Sequence, residues 1–142
     1  HRAAGHQTVL ITGALDIAVE PLRPLFDHII AARIDRKDGK LTGEMLDVPP
    51  TGEVRAQLMV AWAEENGLSP SQGVAYADSA SDLPMLEAVG YPVAVNPETR
   101  LVTIAQKRGW LTENWPKTAG GPKPLLPMGQ RSKLLTTREG VR

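Results

Sequence analysis

The sequence predicts an α/β fold built on a parallel sheet, and three observations predict it. Short apolar runs recur at 8–11, 73–77 and 92–95, each closing on a turn residue or a carboxylate. Longer stretches with helical apolar spacing or helix stop signals lie between and after them, at 53–67, 83–89 and 97–109. Strands alternating with helices make βαβ units, whose strands run parallel. At 142 residues the chain can bury one ordinary core.

The run TVLI at 8–11 closes on Thr12-Gly13, and the preceding HRAAGH reads as a helix tail stopped by Gly5. Leu15, Val19, Leu22 and Phe26 then recur at helical spacing. Pro21 and Pro24 interrupt them, so a short or broken helix is expected. Segments 29–34 and 41–45 flank Asp38-Gly39, a pair that favours a tight turn, and are expected to be the two arms of a hairpin. After Pro49-Pro50 a helix is expected from Glu53, with Val54, Leu58, Ala61 and Trp62 on one face and a stop at Asn66-Gly67. GVAYA at 73–77 ends at Asp78, and the helix after it carries Pro84 in its first turn, where proline is tolerated. A third strand at 92–95 leads through Asn96 to a helix ended by Gly109.

Residues 113–142 differ in kind, with eight Pro or Gly and six Lys or Arg against two Glu. They are expected to be a basic tail or linker, leaving 1–112 as the folded portion.

Composition excludes several function classes. There is no cysteine, which removes disulfides, thiolate metal sites and a cysteine nucleophile, and fits a reducing, cytoplasmic setting. A formal net charge of zero gives no support for a nucleic-acid partner. No apolar run approaches the roughly 20 residues that span a bilayer. The first residues carry neither an initiator Met nor a signal-peptide pattern, and the chain reads as beginning inside a larger unit.

Ligands of an open parallel sheet sit at the carboxyl ends of its strands. Here those ends offer Thr12-Gly13, Asp78 and Asn96: a hydroxyl with a flexible amide, a carboxylate and a side-chain amide. Asp78 and Asp82 lie at a strand end and a helix start, and can face one crevice to serve an oxygen-ligated Mg²⁺. The plain alternative is an N-cap, in which Asp or Ser satisfies the first helical amides. Thr12 at a strand end can equally be a turn residue, and Arg55 a solvated helix-surface cation. His1, His6 and His28 have no metal-ligand spacing and are expected to be surface or structural.

The stretch YADSASDLPMLEAVGYPVAVNP, 76–97, closely resembles the acidic motif of haloacid-dehalogenase-type phosphatases, in the subgroup around phosphoserine phosphatase. VLITGA resembles that family's second motif, and TGEVRAQLM its third, with Arg55 where the family has lysine. The resemblance covers about residues 1–112. It implies a Rossmann-like sheet with flanking helices that lacks its first strand and cap. It implies Mg²⁺ at Asp78 and Asp82, and a phosphoryl group held by Thr12, Gly13 and Arg55. An arginine can replace the lysine because it neutralises phosphate and donates two parallel hydrogen bonds. Ala77 and Ser81 stand where the family usually has Gly and Asn, which departs from a phosphoserine site while leaving the reaction class intact.

The resemblance further implies an aspartyl-phosphate intermediate on an Asp-x-Asp-Gly-Thr loop. None of the seven Asp residues lies in such a motif. The expectation is therefore part of a Mg²⁺-dependent phosphomonoesterase acting on a small phosphorylated metabolite, with the nucleophile on a missing N-terminal half or another chain that also covers the open sheet edge. A non-catalytic module within a multidomain protein, for example one fused to an acyltransferase, is the alternative. A receiver-like domain would need paired acidic residues after the first strand, and none is found.

Overall fold

The computed structural model describes residues 1–116. Of the expected tail, residues 117–142 lie outside the described residues.

The predicted strands form and run parallel, but in two separate sheets. β1 (Val9–Leu15) pairs in parallel with β2 (His28–Ala32). β5 (Val74–Ala77), β6 (Tyr91–Val95) and β7 (Leu111–Glu113) form a parallel sheet in that order. β1 runs past Thr12-Gly13 to Leu15, with its register to β2 shifting between Thr12 and Leu15. β7 has no counterpart in the sequence-based elements, and it draws Leu111–Glu113 into the sheet. A three-residue strand is too short to show an alternation.

Between β1 and β2 the chain makes a four-residue helix, α1 (Asp16–Val19), and a 3-10 helix at Glu20–Leu25 that contains Pro24. The two prolines break the helix as expected. The hairpin is β3 (Ile34–Lys37) with β4 (Lys40–Met45), turning on Asp38 and Gly39 at φ 51° and 74°. Two positive φ values are what a type I′ turn requires. Residues 29–32, expected in the first arm, belong instead to β2. The break falls at Arg33, whose carbonyl accepts the Leu46 N–H at 2.9 Å and whose guanidinium pairs with Asp47.

Three helices cover the second sheet: α2 (Gly52–Glu65), α3 (Leu83–Glu87) and α4 (Thr99–Arg108), the last closed by left-handed Gly109. Their core is Ala56, Met59, Ala75, Met85, Leu86, Ala94, Leu101 and Ala105, with Leu86 and Leu101 fully buried. The buried face of α2 is Ala56, Met59 and Ala63, not the expected set, and Ala61 is exposed. Apolar residues encircle this helix, so spacing alone does not select a face. Its small residues join the core with Met85 and Leu86 of α3, while Val54 and Leu58 line a cleft of about 650 Å³ with Val19 and Ile30. Trp62 stacks on His28 at 5.8 Å. Among the described residues no helix is long and apolar enough to cross a membrane.

Candidate functional site

α2 begins where β1 ends. A Cβ on Gly13 would lie 2.8 Å from the Thr51 methyl, so a larger residue there would force the Thr51 side chain to move. Gly52, at φ 50°, then turns the chain into the helix in a conformation that L side chains rarely adopt. Three residues on, the Arg55 side chain is fixed from two sides. Its Nε donates to the Pro50 carbonyl at 3.1 Å, and its Nη1 donates to Asp82 Oδ1 in a short ion pair.

Asp82 is the one buried charged residue among those described, at 6% exposure. Burial pushes its carboxyl above the ordinary carboxylate range; the Arg55 cation opposes this and the Asp78 charge adds to it. Asp78 and Asp82 lie four positions apart in sequence. They bracket a 3-10 helix (Ala80–Asp82), in which the Asp82 N–H donates to the Ser79 carbonyl at 3.1 Å and Ser79 Oγ accepts the Ser81 N–H at 3.2 Å. The capping alternative is therefore met by Ser79. Neither Asp78 nor Asp82 makes a side-chain cap bond here.

Thr12 lies in β1, where its Oγ1 accepts the Ala14 N–H at 3.1 Å, which leaves its own O–H available to donate. The structure thus joins Arg55 directly to Asp82, and Gly13 to the start of α2 through Thr51. No direct contact links Thr12 to either pair. The three histidines lie apart from these groups: His1 bonds His6 at 2.8 Å and Tyr76 at 2.7 Å, and His28 stacks on Trp62.

Glu98 escaped the sequence reading, whereas Asn96 was expected at the end of the third strand. Glu98 Oε1 accepts the Ala80 N–H at 2.7 Å. Asn96, at φ 43°, exchanges side-chain bonds with the Trp115 backbone, both at 3.0 Å. The Asn-Pro pair at a strand end signals a turn there, but nothing in the sequence points Glu98 at a loop whose Ala80 and Ser79 lie 18 and 19 residues back.

The donor set near Asp82 suits a hard divalent cation in kind, being carboxylate oxygen, and Mg²⁺ keeps several waters beside one or two carboxylates. It is incomplete in number: no group of three or more His, Cys, Asp or Glu that could hold a metal occurs among the described residues.

Comparison with known proteins agrees with this architecture. The family profile for haloacid dehalogenase-like hydrolases matches residues 1–87. The chain is 38% identical over 113 residues to the inhibition of morphological differentiation protein of Streptomyces azureus, covering 78% of this chain and 40% of that one. It is 32% identical over 121 residues to a histidinol-phosphatase of Neisseria meningitidis, covering 81% and 54%. A phosphoserine phosphatase of Mycobacterium tuberculosis is 35% identical over 112 residues, covering 78% and 36%. Among solved structures, a Bordetella pertussis protein of unknown function superposes with TM-score 0.73 at 33% identity, covering 80% of this chain and 53% of that one. A phosphoserine phosphatase in its apo form shares the fold with TM-score 0.64 at 24% identity, covering 80% and 55%. The chain spans about two fifths to a little over half the length of the first two curated relatives. With its motifs, its parallel strands and these likenesses in accord, the chain belongs to the haloacid dehalogenase-like hydrolase family.

Proposed function

We propose that this chain is the part of a magnesium-dependent phosphomonoester hydrolase that holds the phosphoryl group and the metal, with the nucleophile supplied from outside this sequence. The observation that carries the reading is the Arg55–Asp82 pair beside the Gly13–Thr51 approach. It joins a cation and a carboxylate from separate stretches, beside the part of β1 that carries Thr12 and Gly13.

Asp78 and Asp82 hold Mg²⁺ directly or through its waters. When bound, the ion neutralises phosphoryl charge. Thr12 donates its O–H to a phosphoryl oxygen, and the Gly13 amide lies next to it. Arg55 has donors beyond those used on Pro50 and Asp82, and these face the same anion. An Asp from the segment outside this sequence would attack phosphorus as the P–O bond to the alcohol breaks and the alcohol leaves with a proton; water would then attack phosphorus, releasing inorganic phosphate and restoring the carboxylate. The edges of β1 and β5 that carry no partner strand among the described residues are where that segment, or another chain, would add.

The substrate class is a small phosphorylated metabolite. Relatives named for histidinol phosphate and for phosphoserine carry different substrates in their names.

The test is phosphate release by the full-length protein with and without Mg²⁺, beside Asp78→Asn. Mg²⁺-dependent turnover that falls at least about a hundredfold in the variant is expected for loss of a metal-holding carboxylate. Undiminished activity in Asp78→Asn contradicts the assignment.

A further inference from the structure

The loop between Asp78 and Asp82 has few internal supports. Its 3-10 geometry gives poorer hydrogen bonds than an α-helix, and the Ser79 bonds above are local. Its external support comes from the turn between β6 and α4. There the Glu98 backbone N–H donates to the Asp78 carbonyl at 2.8 Å, Glu98 Oε1 accepts the Ala80 N–H at 2.7 Å, and the same oxygen lies 3.4 Å from the Ser79 hydroxyl. A single residue therefore grips three consecutive residues, beginning at one of the two carboxylates.

Glu98 is itself well anchored. Its carbonyl accepts the Val102 N–H at 2.9 Å as the entry to α4. Two residues earlier, Asn96 is locked by Trp115 and donates its own N–H to the Glu113 carbonyl at 2.8 Å. The grip on the acidic loop is thus referred through β6 to β7 and the strap behind it.

We propose that Glu98 is a positioning residue: through the Ala80 N–H and the Asp78 carbonyl it fixes the angle at which Asp78 and Asp82 present their oxygens to a divalent cation. Its role is carried by Oε1, which the loop engages, and not by coordination of the ion. The proposal rests on the metal-holding role given above to the two aspartates. Groups that orient metal ligands govern affinity strongly, since a mis-aimed carboxylate loses coordination geometry while keeping its charge.

The experiment is Mn²⁺ binding to the full-length protein, read by electron paramagnetic resonance and competed with Mg²⁺. Glu98→Ala is expected to weaken binding about tenfold or more, the range typical of lost ligand support. Glu98→Gln keeps a carbonyl oxygen for the Ala80 N–H and is expected to stay within about threefold of wild type. Glu98→Asp keeps the charge but is one methylene shorter, and is expected to fall with the alanine variant. Wild-type binding by Glu98→Asp overturns the proposal even if Glu98→Ala does not fold, and so does a Gln variant as weak as Asp. Asp78→Asn in the same assay separates the two levels. If it binds Mn²⁺ normally, the metal-site reading and this proposal fall together. If it loses binding while every Glu98 variant keeps it, only the role of Glu98 is lost.

Discussion

Asp27 ties the start of β2 to the start of β1. Its carboxylate accepts both the N–H and the hydroxyl of Thr8 at 2.8 Å, with Arg2 3.7 Å away. The Thr8 hydroxyl, then the Thr8 N–H, holds this carboxyl below its ordinary value. A depressed folded pKa means the contribution is present above the unfolded carboxylate value of roughly 4 and lost as pH falls through the lower folded one. Thr8→Val removes the largest cause. Urea midpoints at neutral pH and at about pH 3 are therefore expected to differ less in Thr8→Val than in wild type, and equal differences contradict this. The Arg55–Asp82 pair is the other residue-scale device. Arg55→Ala strands a buried carboxylate and is expected to cost about 3 kcal/mol, with Asp82→Asn in the same chain recovering part of it. Denaturant midpoints of the two variants check both statements.

At the scale of elements, the local signals were legible and the packing was not. Pro21 and Pro24 break a helix wherever the fold places it, and Asp38-Gly39 turns because both residues accept positive φ. The spacing of Val54, Leu58 and Trp62 does not select the face of α2, because apolar residues encircle it. The helix turns Ala56, Met59 and Ala63 inward and gives Val54 and Leu58 to the cleft and Trp62 to His28. β2 was merged with the hairpin because apolar residues continue through Ile34; the Arg33–Asp47 pair and the Leu46 hydrogen bond that split them are long-range. The core itself hinges on two side chains. Leu101→Ala leaves a cavity in the core and is expected to cost about 3 kcal/mol, read as a lowered urea midpoint at unchanged slope. A loss under about 1 kcal/mol contradicts a tightly packed α4.

For the whole molecule, the candidate site draws on both halves of the described chain. Asp78 and Asp82 were legible because the segment that carries them is contiguous. The Arg55–Asp82 link crosses 27 residues and the Glu98 hydrogen bond to Ala80 comes from another turn, so neither could be read along the chain. Among the described residues the two parallel sheets keep edges without a partner strand, and the chain spans about half the length of some relatives.

The most direct measurement is a crystal structure of the full-length protein grown with Mg²⁺ and orthovanadate, a mimic of the transferring phosphoryl group. The account predicts a magnesium ion about 2.1 Å from an Asp78 oxygen, with vanadate oxygens hydrogen-bonded to Thr12 and Arg55. A metal bound elsewhere, or vanadate that leaves Arg55 engaged only with Asp82 and Pro50, would contradict it.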